Sequence, residues 1–225
     1  AWMGLSVVAF GAFAGGLLAT LLVYRLATSE FGTSVTTMLL AGIAIGAIAG
    51  SLNGLLSYFS SDALLRQMSI WQMGNLSTAN WSRLLPVAAA LCVLLVALPR
   101  VGLALNALLL GESEARHLGI NVQRVKRQLI VATALGIGMA VAVAGLIGFV
   151  GLVVPHLIRL LIGPDHRWLL PASALGGAML LMIADTLARV VASPAELPIG
   201  ILTALIGAPL FIGLLVRQRR ELQLW

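Results

Sequence analysis

The segment Gly111–Gln128 reads GESEARHLGINVQRVKRQ, and it decides how the rest of the chain is interpreted. It is a dense group of charged and polar residues between two long apolar runs, Val87–Leu110 and Leu129–Val154. A central Arg, Lys or Asp in a membrane-spanning helix costs about 2.5–3.5 kcal/mol on insertion scales, so the segment is expected to face water. Its excess of cations predicts that this water is cytoplasmic, because cytoplasmic loops of membrane proteins are enriched in Lys and Arg.

The composition of the 225 residues predicts a membrane protein. Hydrophobic residues make up 60% of the chain and charged residues 10%, whereas a soluble domain has about 25% charged residues. In lipid every backbone polar group needs an internal partner, so only helix bundles and closed barrels can span a bilayer. The apolar runs are about 20 residues long and do not alternate with polar residues. The predicted fold class is therefore all-α, a polytopic membrane helix bundle, and the net charge of +6 is assigned to membrane topology and not to nucleic acid.

About seven runs are long enough to be considered spans. Pro99 with Arg100 is expected to close the third of them, and Gly207 with Pro209 to interrupt the last. The segment Ser60–Ser82 is too polar for a span and predicts a short helix at the outer face. The predicted spans are Trp2–Tyr24, Ser34–Leu56, Leu84–Leu98, Leu129–Leu146, Phe149–Ile162, Trp168–Val191 and Ile201–Val216.

Three further features refine this expectation. The outer helix is expected over Ala63–Met73, capped by Asp62 and ended by Gly74. A stripe of small residues in the second span, Gly42, Gly46 and Gly50, is typical of close contact between helices. Gly145, Gly148 and Gly151 predict a tight turn or broken helix before the fifth span.

The loop cations agree with a single orientation, in which the carboxyl terminus is cytoplasmic. The opposite side receives only Arg66, Arg83 and Arg189. The cytoplasmic set is Arg25, Arg100, Arg116, Arg124, Lys126, Arg127, Arg167, Arg217, Arg219 and Arg220.

Several polar residues are candidates for function on their own chemistry. Asp185 and Arg189 are four residues apart on a predicted helix and can form an ion pair. His156 in an apolar run is interpreted as a packing residue in preference to a haem or metal ligand. The single cysteine, Cys92, is interpreted as a buried apolar residue, and we expect no metal site.

Four blocks in the second half of the chain resemble the permease of type II ABC importers for iron-siderophores, haem and cobalamin, and are most similar to haem permeases. They are GESEARHLGINV (111–122), GFVGLVVPHLIRLLIGPDHR (148–167), IADTLAR (183–189) and ELPIGILTALIGAPLFI (196–212), with WQMGNLS (71–77) as a weaker fifth. The resemblance implies a ten-helix permease that forms a homodimer with a second permease in the bacterial inner membrane. It also implies two ATP-binding subunits, which hold ATP and Mg, and a periplasmic substrate-binding protein. No cofactor is expected on this chain.

Residues 1–225 would then form a single permease domain corresponding to helices four to ten of the family, without the family's amino-terminal part. The resemblance implies that 111–122 is a cytoplasmic coupling element that docks on the ATPase; the alternative is an ordinary solvated loop. Glu112 and Glu114 near its start and Arg116 and His117 near its end suit a short helix, and Gly119 suits a left-handed cap. The coupling residues are Gly111, Glu112, Glu114, Ala115, Arg116, His117, Leu118 and Gly119.

The resemblance also suggests residues for docking and for the pathway. Arg189, grouped with Arg66, is expected to meet the binding protein; the alternative for Arg189 is a self-neutralising pair with Asp185. Glu196 is expected either to belong to an outer gate or to cap the last helix. Ser51, Asn53, Ser57 and Thr203 are pathway candidates, with interhelical hydrogen bonds as the alternative.

The expected function is therefore that of a transport subunit, not an enzyme, which moves haem or a related iron chelate by alternating access. A ferric-siderophore or cobalamin permease of the same family is the first alternative. An ion-driven secondary transporter would need acidic residues at the membrane midplane, and Asp185 lies toward one end of its span. A membrane enzyme would need a catalytic motif such as HExxH or GxSxG, and the sequence has neither.

Overall fold

The computed structural model describes residues 2–29, 32–77, 80–191 and 197–222, and these are almost entirely helical. Two short strands, β1 (Thr28–Ser29) and β2 (Gly32–Thr33), pair antiparallel with Thr28 opposite Thr33. The helices are α1 (Trp2–Ala27), α2 (Val35–Tyr58), α3 (Asp62–Gln72), α4 (Trp81–Leu108), α5 (Glu112–His117), α6 (Val122–Ala144), α7 (Val150–Ile162), α8 (His166–Val191) and α9 (Ile199–Leu222).

The chain divides into two compact units. The first contains Ala1–Ser69 and Ala79–Val143, and within it α1 packs against α2 and α4 against α5. The second contains Ile70–Thr78 and Ala144–Trp225, and within it α7, α8 and α9 pack against one another. The α5 segment belongs to the first unit.

Among the described residues, four helices are long and apolar enough to cross a membrane. Between 6% and 22% of each of these stretches is buried, so large apolar side chains face outward, as expected for helices surrounded by lipid. A bent pair in α4 and the shorter apolar helices Val150–Ile162 and Ile199–Gly213 are further candidates. The fold class is as predicted, and the count of about seven spans stays a prediction.

Two helices continue where the sequence predicted a stop. The helix α4 runs through Pro99 with a bend of 56° between Val87–Leu98 and Arg100–Leu108. Likewise, α9 runs through Gly207 and Pro209. Proline removes one helical hydrogen bond, and membrane helices tolerate this loss as a kink when the freed backbone groups find other partners.

Two helix starts also differ from the prediction. The helix α6 begins at Val122, so the second half of the polar segment is helical and not a loop. The Asn121 side chain caps this start, because its Oδ1 accepts a hydrogen bond from the Arg124 amide at 3.0 Å. Asp62 is the first residue of α3 and not its cap; the carbonyl of Ser61 accepts the first helical hydrogen bond.

The predicted break before α7 is present at residues 145–149, and its backbone packs on the end of α3. The Gly145 backbone is left-handed, with φ of 71°, and an added Cβ would clash with the Trp71 carbonyl. The amide of Asn75 donates to Ala144 at 2.8 Å, and the amide of Gly200 donates to Met73 at 3.0 Å. The start of α9 thus has one of its otherwise unsatisfied amides paired by a neighbouring segment.

Replacing Gly200 with Ala is expected to lower thermal stability, because the new methyl group would clash with the Met73 carbonyl that accepts the Gly200 hydrogen bond. Overpacking of this kind costs about 1–3 kcal/mol. The measurement is thermal unfolding in detergent, followed by Trp fluorescence. Gly177→Ala is the matched control, since its methyl group would lie 3.7 Å from Val150, an ordinary contact. Equal melting temperatures for the two variants would contradict the account.

Candidate functional site

The helix α5 is short, and the charges at its two ends complement its dipole. Gly111 precedes it with φ of 112°, a conformation that glycine adopts without strain. Glu112 and Glu114 lie in the first turn, and Arg116 and His117 lie in the last. Acidic groups near the amino end of a helix and basic groups near its carboxyl end are stabilising.

The carboxyl end of α5 closes in a Schellman motif. Gly119 is left-handed, with φ of 80°, as expected for the cap. Its amide donates to the Arg116 carbonyl at 2.9 Å, and the Ile120 amide donates to the Ala115 carbonyl at 3.1 Å. These two bonds satisfy carbonyls that a six-residue helix would otherwise leave without partners. The helix is therefore sharply bounded at both ends.

A small apolar core holds α5 against its neighbours. Ala115 is completely buried and clusters with Ala107 of α4 and Val122 of α6. Leu108 and Ile120 pack around this cluster. A methyl side chain at 115 is what allows α5 to lie close to both neighbouring helices.

The opposite side of α5 is exposed. His117 is 77% exposed, and its Nδ1 lies 3.9 Å from Glu114. Leu118 and Leu110 are also exposed, at 64% and 68%. The Arg116 side chain is 54% exposed and lies 3.6 Å from Glu112 Oε2, a distance suited to an ion pair but too long for a direct hydrogen bond. Exposed Leu side chains beside charged ones on a water-facing element are typical of an interface core with a polar rim.

Glu112 points inward, away from this exposed face. Its Oε1 accepts a hydrogen bond from the Thr33 amide at 3.2 Å and another from the Lys126 ammonium. Lys126 also donates to the Thr33 hydroxyl. The Lys126 side chain is 14% exposed and the Glu112 side chain 24%, so both charges are largely removed from water.

Two further contacts lie beside this group. Lys126 Nζ lies 5.7 Å from the centre of the Tyr24 ring, within the range of a cation–π interaction. The Tyr24 hydroxyl donates to Gln123 Oε1 at 2.8 Å. The end of α1 is therefore held against the start of α6 at the same place where β2 meets α5.

The pKa of the Glu112 carboxyl is lowered from its usual value of 4.5. Burial acts to raise this pKa, but the hydrogen bond and the positive charge of Lys126 outweigh it, with the Thr33 contacts adding to the effect. Favourable interactions of the ionised form are what depress the pKa of a carboxyl group. Glu112 is therefore ionised at neutral pH and stabilises the folded protein in that form.

Glu112→Gln is expected to reduce the free energy of unfolding by about 1.5–3 kcal/mol at neutral pH, the scale of a hydrogen bond to a charged group. Because the pKa is lower in the folded protein, the Glu112 contribution is complete above pH 4.5 and is lost as the pH falls through the folded value. The measurement is the melting temperature of both proteins against pH. The difference should disappear in acid. A difference that is unchanged by acid, or one matched by the exposed Glu114→Gln control, would contradict this role.

The predicted pair of Asp185 and Arg189 is present in α8. The Arg189 Nε donates to Asp185 Oδ2 at 2.8 Å, and a second guanidinium nitrogen lies 3.4 Å from Oδ1.

Arg66 in α3 is exposed. Glu196 lies outside the described residues.

The pathway candidates fall in different units. Ser51 in α2 is exposed and donates to the Ala47 carbonyl of its own helix at 2.9 Å. Asn53 and Ser57 are partly buried. Thr203 in α9 is 3% exposed and donates to the Gly200 carbonyl at 3.1 Å.

Thr203 also lines an apolar cavity of about 320 Å³ between α7, α8 and α9. Phe149, Val153 and Met179 are among the other lining residues. Phe149 starts α7 in a left-handed conformation, and Gly207 provides the space for its side chain. His156 is not among the lining residues. The described part of the chain brings together no group of three or more potential metal ligands.

These features define a multi-pass membrane protein with a short, exposed and well-capped helix, α5, and comparison with known proteins gives its family. The chain belongs to the FecCD transport family, whose profile matches residues 1–217. It is 50% identical over 214 residues to the hemin transport system permease protein HmuU of Yersinia pestis, covering 94% of this chain and 63% of that protein. It is 46% identical over 216 residues to the vitamin B12 import system permease protein BtuC of Vibrio cholerae, covering 95% and 64%.

A solved structure gives the same fold. It is described as an inward-facing conformation of a metal-chelate type ABC transporter. The two structures superpose with a TM-score of 0.78 at 33% identity, covering 95% of this chain and 74% of the other. The family and the fold class predicted from sequence are thus confirmed. The chain spans less than two thirds of the length of the two curated relatives.

Proposed function

We propose that this chain is part of the permease subunit of an ATP-driven importer, and that it moves haem or a related iron chelate across the bacterial inner membrane by alternating access. The observation that carries the proposal is α5, a capped helix seated on one side and exposed on the other, in a chain of a transport family. The 50% identity to a hemin permease favours haem as the ligand. The 46% identity to a cobalamin permease makes cobalamin the nearest alternative, and ferric siderophores follow.

The segment 111–122 is the coupling element in this proposal. Its exposed face, which includes Arg116, His117 and Leu118, docks on an ATP-binding subunit. Ala115 and Gly119 have a structural part, since one seats the helix and the other ends it. ATP and Mg bind to two partner subunits, and this chain carries out no bond chemistry.

Further partners follow from the same family assignment. A second permease forms a homodimer with this chain, and the unpartnered stripe of Gly42, Gly46 and Gly50 supports it, because an added Cβ at each would meet no described atom within 4 Å. A periplasmic binding protein docks on the outer face. The distribution of cations, including Arg25, Arg100 and Arg124, supports a cytoplasmic carboxyl terminus.

Arg189 is the proposed contact for the binding protein, and Arg66 is a second proposed contact. Arg189 donates two hydrogen bonds to the Asp185 carboxylate, which fix the orientation of its guanidinium. Among the pathway candidates, the polar groups of α2 fit a translocation path better than Thr203, whose hydroxyl is buried and bonded within α9. Glu196 remains a proposed gate residue.

Uptake by the assembled transporter in liposomes tests the proposed function. With the ATP-binding subunit and the binding protein present, haem should accumulate with ATP and not with a non-hydrolysable analogue. Cobalamin and a ferric siderophore, each with its own binding protein, are the competing substrates. Accumulation driven by an ion gradient in the absence of ATP would overturn the proposal in favour of a secondary transporter.

Arg116→Glu and Leu118→Asp are expected to separate ATP hydrolysis from uptake, because each changes an exposed side chain and leaves the buried Ala115 in place. Arg116→Glu also removes the ion pair with Glu112, whereas Leu118→Asp keeps it. Uptake per ATP hydrolysed should fall by about fivefold or more, the usual range for coupling between sites. Gly119→Pro should also lower uptake per ATP hydrolysed, because it disrupts the cap of α5. Arg167→Glu is the control, as it reverses an exposed cation in the first turn of α8. Normal coupling in all three α5 variants would contradict the role of this helix.

A further inference from the structure

One cluster of charges in the first unit is not explained by docking on an ATPase. Glu112 lies in α5, yet its carboxylate contacts Thr33 and Lys126 instead of facing water. We call Glu112, Lys126 and Thr33 the joint. It brings together three segments: α5, the start of α6, and the β1–β2 turn that connects α1 to α2.

Thr33 of the joint lies two residues before the start of α2 at Val35. The Thr33 amide donates to Glu112, and the next residue, Ser34, is the cap of α2, where its Oγ accepts from the Thr37 amide at 3.3 Å. The Ser34 amide donates to the Ala27 carbonyl at the end of α1 at 3.0 Å. A displacement of Glu112 is therefore passed through the backbone to the ends of both helices.

The largely buried ion pair and the hydrogen bonds of the joint make it rigid. Separating Lys126 from Glu112 would break a largely buried ion pair, which is more costly than breaking an exposed one. The Tyr24 contacts with Lys126 and Gln123 hold the same place from the side of α1. On its other side α5 is seated through Ala115 on α4 and α6. The α5 helix and the turn between α1 and α2 are thus tied at several points.

We propose that the joint transmits the displacement of α5 to the turn between α1 and α2, so that α5, the start of α6 and the start of α2 move as one body. Glu112 and Lys126 are positioning residues in this view and do not contact the ATPase. The inference rests on the proposed function, in which α5 receives the motion from an ATP-binding subunit. It adds the route by which that motion reaches α1 and α2.

The test compares joint variants in the assembled transporter. Glu112→Gln and Lys126→Met remove one charge each, and Thr33→Val removes the hydroxyl that accepts from Lys126. Arg127→Met is the control, because it removes a neighbouring exposed cation. The measured quantities are the ATP hydrolysis rate, uptake per ATP hydrolysed, and melting temperature.

If the joint transmits motion, Glu112→Gln and Lys126→Met retain ATP hydrolysis while uptake per ATP hydrolysed falls about fivefold or more. In Thr33→Val, uptake per ATP hydrolysed falls by a smaller factor. The control keeps normal coupling. Normal uptake in both charge variants, or equal losses of ATP hydrolysis and uptake, would overturn the inference. Failure of the unmodified transporter to use ATP for uptake would instead overturn the proposed function.

Replacing the contacts of the joint with a covalent cross-link distinguishes a role in transmitting motion from a role in protein stability. Thr33→Cys with Glu112→Cys, in a Cys92→Ser background, places two thiols where the joint was, and a short bismaleimide links them. The uncross-linked protein should be uncoupled, and cross-linking should restore uptake per ATP. Uptake that stays low after complete cross-linking would overturn the inference, since the connection alone would then not be sufficient.

Discussion

The ion pair between Glu112 and Lys126 is the interaction on which the water-facing part of this protein depends. Both side chains are largely buried, and the second carboxylate contact, with the Thr33 amide, adds a backbone group to the pair. Buried charges are tolerated when they are paired and hydrogen-bonded, and they become strongly destabilising when one partner is lost. The pair therefore fixes α5 relative to α6 and to the turn between α1 and α2. The exposed face of α5 is the proposed docking surface for a partner protein.

Local physical chemistry was enough to predict much of the fold. Apolar runs gave the membrane helices, and Gly119 gave the left-handed end of α5, because both signals depend only on neighbouring residues. The prediction that Pro99 ends the third span was wrong, because a proline in lipid bends a helix as readily as it ends one. The start of α6 at Val122 was not predicted, because the cations in its first turns were interpreted as belonging to a loop. A helix end that faces water is polar as well.

The joint was not predictable in the same way. Lys126 and Thr33 are 93 residues apart, and no spacing rule connects them. Glu112 and Glu114 are two residues apart and have the same chemistry, yet one points inward and the other is exposed. Which side of a six-residue helix is buried depends on the packing of Ala115 against Ala107 and Val122, and this packing is a tertiary property. The sequence thus predicted a short helix at this place but not the direction in which each of its charges points.

The most direct measurement is the distance between α5 and the turn between α1 and α2 during the transport cycle. Spin labels at Ser29→Cys and Ser113→Cys, both exposed positions, in a Cys92→Ser background report this distance by pulsed electron resonance in lipid nanodiscs. The account predicts the same distance distribution in the nucleotide-free and the ATP-bound transporter. A distribution that shifts or splits when ATP binds, in a labelled protein that still couples hydrolysis to uptake, would contradict it.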